Sequence, residues 1–282
     1  MTGFIIVNKK EGVSSAAEVA RIKRLTHTPC GHMGTLDPMA SGVLPVAIGN
    51  AARLFDYFLQ KRKTYIATFR FGLDSDTLDT TGTVINEGKS VPAAAEIQKI
   101  LPEFLGEIDQ IPPKYSAKSV NGRRGYQLAR AGVEFELPAK KVTIYSIKLL
   151  GAEGADGYKF EIECGGGTYI RSIARDMGAK LDTCAVMSAL VRTKSGPFAI
   201  EKSVQTDELT EENIANFIIP TDSVLDFESI HPDELSAKKL FNGLSIDSDL
   251  NDGLYKIYGF NGGFYGLAEV KNQKLKVRTK LC

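Results

Sequence analysis

Long apolar runs are missing from this chain. The N-terminal segment MTGFIIVNKKEG has four consecutive apolar residues before Asn8, too few for a signal-peptide core or a membrane span. A cytoplasmic protein with no membrane partner is the expectation. Cysteine and histidine are scarce as well. Cys30, Cys164, Cys184 and Cys282 form no CxxC pair, and His27, His32 and His231 are too scattered to complete a zinc-ligand pattern. Reduced thiols and no metal are therefore expected. No excess of one charge sign is visible overall, the net charge being +1. Disorder and fibrous repeats are excluded by 43% hydrophobic and 24% charged residues. A length of 282 residues fits one large domain, or a large one with a small appendage.

The near-zero net charge conceals a strong segregation. Residues 205–253 hold 12 acidic and 2 basic side chains, a balance of −10, so the remainder carries 33 basic against 22 acidic, or +11. Segment 114–141 alone has seven Lys or Arg against two Glu. Such a balance attracts phosphates, although a solvated loop gives the same signature.

FIIV at 4–7 reads as a short buried strand. A helix follows from about Ser15, with Ser15 and Glu18 as an S-x-x-E capping box and Arg21, Lys23 and Arg24 on its basic face. VLPVAIG reads as an apolar strand, and a helix is expected from Asn50. Residues 64–71 alternate, with Tyr65, Ala67, Phe69 and Phe71 on one face, as in a half-buried strand. A helix near 93–105, strands at VTIYSIKLL and YKFEIEC, and a strand-to-helix junction capped by Thr168 come next. An acidic helix around 206–216 marks a boundary. YKIYGF, FYGLAEV and KLKVRT are three short strands separated by NGG and KNQ turns. Strands and helices mix without regular βαβ alternation. The fold class is therefore α+β with a mixed, largely antiparallel sheet and a small C-terminal β module. The expected division is 1–224 and 225–282, with 114–141 as a basic insertion in the first part.

Between the first helix and the VLPVAIG strand hangs a loop, GHMGTLDPMASG, bracketed by Gly31, Gly34 and Gly42. Glycines admit close approach to a ligand, and Pro38 restricts the backbone of Asp37 and so aims its carboxylate. An Asp before Pro also serves as a plain turn former. GHMGTLDPMASGVLPVAIGNAARL resembles the motif around the catalytic aspartate of the TruB family of tRNA pseudouridine-55 synthases. VNKKEGVSS, KRKTYIATFRFG, DSDTLDTTG, IPPKYSAKSVNGRRGYQLARAG, GGGTYIRSIARDMG and SALVRTKSGPF follow the family's order and approximate spacing, from residue 4 to about 200. One departure is Asn8-Lys9-Lys10, where the family usually has Asp-Lys-Pro.

The resemblance implies a pseudouridine-synthase fold with a PUA-like RNA-binding module at the C-terminus. The implied activity turns uridine 55 in the T-loop of tRNA into pseudouridine, with no cofactor. It casts Asp37 as nucleophile, Arg171 as its partner, and Tyr65 as a stack on the flipped uracil that assists proton transfer at C5. His32 would fill the gap left by the extruded base, Leu190 and Tyr169 would line the pocket, and Lys9 would lie at the substrate-binding site as support for the loop. Lys118, Arg123, Arg124 and Arg130 would contact phosphates from a thumb closing over the T-arm. The partner is the tRNA T-arm, and a monomer needing no protein partner is expected. Glycosidic isomerisation needs an ionised carboxylate as covalent catalyst, and a guanidinium within about 4–6 Å keeps a carboxylate charged. A non-catalytic RNA-binding protein or RNA chaperone accounts for the same basic surface. A hydrolase using Asp37 with His32 lacks any orienting third residue.

Overall fold

Burial on both faces explains why the first strand shows no alternation. In the computed structural model, which describes residues 1–88, 90–116, 119–120 and 122–282, strand β1 (Gly3–Lys9) turns Phe4 and Ile6 toward one apolar cluster and Ile5 and Val7 toward another. The side chains of Ser119, Val120, Arg123, Arg124, Tyr126 and Arg130 are outside that description. Seven strands form the spine of a mixed sheet. With β2 (Cys30–His32) attached to the far end of β3, they are β3 (Ser41–Ile48), β4 (Lys63–Phe71), β5 (Gly106–Gln110), β6 (Lys140–Glu153), β7 (Gly157–Cys164) and β8 (Ala185–Ser195), together with β1. Their spatial order is β1-β3-β8-β4-β7-β6-β5. Within this spine only β3 and β8 are parallel, so the sheet is mixed and largely antiparallel, as expected.

Local signals explain most elements and correct several expectations. The helix Ser15–Thr26 is capped by Ser14, whose extended backbone lets its hydroxyl accept from Ala17 N at 3.1 Å. Ser15 is already inside the helix and uses its hydroxyl elsewhere. Glu18 accepts from Thr206 Oγ1 at 2.6 Å, so the Ser15–Glu18 box is not formed. Tyr169, not Thr168, occupies the N-cap of helix Ile170–Lys180, while Thr168 Oγ1 donates to the Gly165 carbonyl at 3.0 Å. The expected acidic helix near 206–216 is two 3-10 turns, Thr206–Glu208 and Ile214–Phe217, in a stretch too charged to offer an apolar helix face. Among the described residues no helix is long and apolar enough to cross a membrane.

Beyond residue 228 a second, five-stranded sheet is built from Gly253–Tyr258, Phe264–Lys271 and Lys274–Lys280, with Ser229–Ile230 and Ile246–Asp247 at its edges. The sequence reading missed its helix, Glu234–Phe241, although Asp233 caps it by accepting from Leu235 N and Ser236 N. This module docks through the second apolar cluster, where Leu267 and Leu281 join Phe4, Phe58 and Phe198. Those three rings meet with centroids 5.1–5.3 Å apart. Asn50 Nδ2 and Arg53 donate to the carbonyls of Cys282 and Lys280, which fastens residues 280–282 to the 3-10 turn Gly49–Leu54 that follows β3.

One glycine is indispensable where β3 meets β8. Gly42 has φ 96°, and a Cβ there would overlap the carbonyl oxygen of Arg192. Gly31 has open space around it and needs no glycine on that ground. Gly42→Ala is expected to cost about 2 kcal/mol or more. Urea unfolding checks this, and an unchanged midpoint would count against it.

Candidate active site

The loop carrying Asp37 is held almost entirely by its main chain. Ser15 Oγ donates to the Leu36 carbonyl and accepts from Leu36 N, both at 2.9 Å. The Pro38 carbonyl receives Gly12 N at 2.8 Å and Lys9 Nζ at 3.1 Å. Arg192 donates to the carbonyls of Gly34, Thr35 and Val43. Ala40 N closes the turn onto the Asp37 carbonyl at 3.0 Å. With the backbone pinned on both sides of it, Asp37 presents its side chain in one direction.

That direction is toward Arg171, at the start of the Ile170–Lys180 helix. Arg171 NH2 lies 3.0 Å from Asp37 Oδ2, and NH1 lies 3.4 Å from Asp79 Oδ2. The same guanidinium donates to the carbonyls of Thr77 at 2.9 Å and Tyr115 at 3.1 Å. The two carboxylates differ sharply in exposure: the side chain of Asp79 is 6% exposed and that of Asp37 is 37% exposed. Asp79 is also anchored through Oδ1, which accepts from the Thr77 hydroxyl at 2.7 Å and from Thr81 N and Oγ1 at 3.0 and 2.6 Å. Its turn is stitched to β8 through reciprocal backbone bonds between Met187 and Leu78 and Thr80, and Leu78 sits at φ 61°. The geometry yields one anchored acid and one acid facing open space.

Asp37 opens on a cavity of ≈ 900 Å³, at the upper end of ordinary ligand pockets. Tyr65, Arg171, Leu190, His32 and Tyr169 all line it, so the structure brings together the residues singled out from the motifs. Burial pushes the Tyr65 phenol above its ordinary range, which keeps it protonated. Burial, and then the charge of Arg192, pull His32 down toward the neutral imidazole. Tyr169 is clamped at its backbone by Gln110, which accepts from its N–H at 2.8 Å and donates to its carbonyl at 3.1 Å.

Lys9 does not belong with the contact residues. It is 0% exposed, and its Nζ is committed to the carbonyls of Lys10, Val13 and Pro38. All three ammonium hydrogens are thus used in holding the loop. Lys10, where the family pattern has proline, pairs with Asp207 at 2.6 Å on the surface. Lys118 lies outside the described residues, as do the side chains of Arg123, Arg124 and Arg130. Sequence reasoning missed Asp79, Ser15 and Arg192. Asp79 stood inside the DSDTLDTTG motif without a role, and Arg192 inside SALVRTK.

Comparison with known proteins matches this arrangement to one family. Residues 23–170 match the TruB family pseudouridylate synthase N-terminal domain, and residues 171–226 match the tRNA pseudouridylate synthase B C-terminal domain. The tRNA pseudouridine synthase B of Clostridium kluyveri is 39% identical over 98% of this chain and 98% of its own length. That of Acaryochloris marina is 37% identical over 100% of this chain and 99% of its own. Among solved structures, a Cbf5-Nop10-Gar1 complex superposes with a TM-score of 0.73 at 25% identity, covering 99% of this chain and 85% of that one. A second, an H/ACA RNP bound to a substrate RNA containing 2'-deoxyuridine, has a TM-score of 0.71 at 23% identity, with 99% and 85% coverage, and shows likeness of fold. From the pinned aspartate, its guanidinium and the matches along the chain, it follows that this protein belongs to the TruB family of pseudouridylate synthases.

Proposed function

We propose that this chain converts uridine 55 in the T-loop of tRNA to pseudouridine, with Asp37 as the attacking carboxylate. The observation that carries the reading is the Asp37–Arg171 pair at 3.0 Å, with the aspartate turned into a cavity that Tyr65, Leu190 and His32 also line. The isomerisation breaks an N-glycosidic bond, turns the uracil and rejoins it through C5. Substrate and product have the same atoms, so the chemistry calls for a nucleophile and positioned proton transfer and no redox partner. Asp37 attacks the electrophilic carbon of ribose or base. Arg171, fixed by Asp79 and two carbonyls, is the counter-charge beside that carboxylate at the cavity wall.

A uridine inside a folded loop must be extruded, which costs a few kcal/mol. Stacking on Tyr65 recovers about 1–3 kcal/mol, and Leu190 packs against the base. Tyr169 lines the wall, and His32, neutral, takes the stacking place that the base has left. Tyr65 also takes part in moving the C5 proton. Residues 114–141 act as a thumb over the T-arm, with Lys118, Arg123, Arg124 and Arg130 on phosphates. Residues 225–282 form a PUA-like module that contacts the same cytoplasmic tRNA.

Release of tritium from uridine labelled at C5 in a T-arm tests the reaction directly. Asp37→Ala is expected to lose turnover by on the order of 10⁴-fold or more while still binding tRNA. RNA binding with no tritium release by the wild-type protein would instead identify a non-catalytic RNA chaperone. Arg171→Lys keeps the charge but not the fork that reaches Asp37, Asp79 and two carbonyls. It is expected to reduce kcat by roughly 10²-fold or more, and near-wild-type turnover would refute the assignment. Four thumb phosphate contacts predict that log affinity falls with log salt at a slope of about −3, flattening when all four basic residues are replaced. Affinity indifferent to ionic strength would remove the thumb assignment.

A further inference from the structure

Strand β8 runs between the two strands that carry the site, and one of its residues faces both. Arg192 is the register partner of Tyr65 in β4 and of Gly42 in β3. The missing Cβ of Gly42 lets the Arg192 backbone approach closely, and the register of β8 against β4 shifts just after Arg192. Residues directly opposite in a sheet project to the same face, so the Arg192 side chain leaves on the Tyr65 side. Both line the cavity.

The guanidinium is nearly inaccessible, at 2% exposure, and among the described residues it has no carboxylate in ion-pair range. Its Nε donates to the Val43 carbonyl at 2.7 Å, NH2 to Gly34 at 3.0 Å and NH1 to Thr35 at 3.3 Å. A guanidinium has five N–H hydrogens and no acceptor, so one hydrogen on each terminal nitrogen is left over. Tyr65, directly opposite Arg192 in the sheet register, and His32 are polar side chains on the same cavity wall. Burial is the main influence on the Tyr65 phenol and pushes it up, while the charge of Arg192 pulls in the opposite direction.

We propose that Arg192 is a positioning residue that fixes the polarity of Tyr65 and its place relative to Asp37. Because the guanidinium can only donate, the Tyr65 oxygen accepts from it, and the phenolic hydrogen turns away into the cavity. The same side chain grips the carbonyls two and three residues before Asp37, so one planar group sets the spacing between the nucleophile and the phenol. A lysine reaches one side of this arrangement and not the other. The inference rests on the reading of Tyr65 as a residue that touches the base.

A double-mutant cycle in the tritium-release assay separates the possibilities. Arg192→Lys and Arg192→Gln are expected to lower kcat by about tenfold or more with KM held within about twofold. In a Tyr65→Phe background the same substitutions are expected to lower kcat by clearly less than in the wild-type background, because the oxygen they orient is gone and only the loop contacts are left to lose. Costs that multiply in full would mean that Arg192 acts through the loop alone, and the inference falls. Full turnover by Tyr65→Phe would sink the reading of Tyr65 itself, whatever Arg192 does. If neither Arg192 variant folds, wild-type protein labelled with ¹⁵N-arginine decides. A nuclear Overhauser contact between an Arg192 Nη hydrogen and the Tyr65 ring is expected, and Arg192 Nη hydrogens without that contact overturn the proposal.

Discussion

A buried guanidinium shared unequally between two carboxylates organises this site. Arg171 is buried, with Asp79 on its inner side and Asp37 on the side that meets the cavity. A charge taken out of water must be offset by partners of good geometry, and Asp79 with the carbonyls of Thr77 and Tyr115 supplies three of them. Asp37 is thereby freed from any structural duty toward Arg171. Its negative charge is held by a neighbour that would stay in place without it. Asp79, gripped at one oxygen by three donors from Thr77 and Thr81 and facing Arg171 with the other, is committed to the scaffold.

Among the described residues, the other buried cations serve the backbone. Lys9, Lys63 and Arg192 are all buried, and all three direct their hydrogens at main-chain carbonyls. Lys63 collects the carbonyls of Phe58, Leu59 and Lys61 at the end of the Phe55–Leu59 helix, and burial pulls its ammonium down to about 8. Peptide carbonyls left short of partners are costly to bury, and long cations reach several of them at once. Three separate segments around the cavity are closed off in this way, which is why irregular backbone persists so near the core.

The motifs of the sequence located Asp37, Arg171, Tyr65, Leu190 and His32, and the structure gathers all five around one cavity. The alternating pattern of residues 64–71 placed Tyr65 on the buried face of a strand, where β4 has it. What stayed illegible depended on contacts between distant segments. Asp74, Asp76 and Asp79 are equivalent as letters in DSDTLDTTG, and Asp79 is distinguished because Arg171, 92 residues later, ends beside it. Ser14 and Ser15 are adjacent serines before one helix, and the Leu36 backbone decides which of them is free to cap. Arg192 in SALVRTK reads as a polar residue of an alternating strand. Its burial follows from carbonyls about 150 positions earlier, those of Gly34 and Thr35 in the Asp37 loop and of Val43 in β3. Local signals were also overlooked, as with Asp233 ahead of the Glu234–Phe241 helix.

The tethers of the Asp37 loop end on peptide groups of Gly34, Thr35, Leu36 and Pro38, not on their side chains. Peptide groups are common to every amino acid, so the scaffold is indifferent to what position 35 displays. Thr35, exposed, borders the cavity from that scaffold, whereas Met39 is committed to the core. The wall at position 35 can therefore be reshaped while the reacting carboxylate keeps its aim.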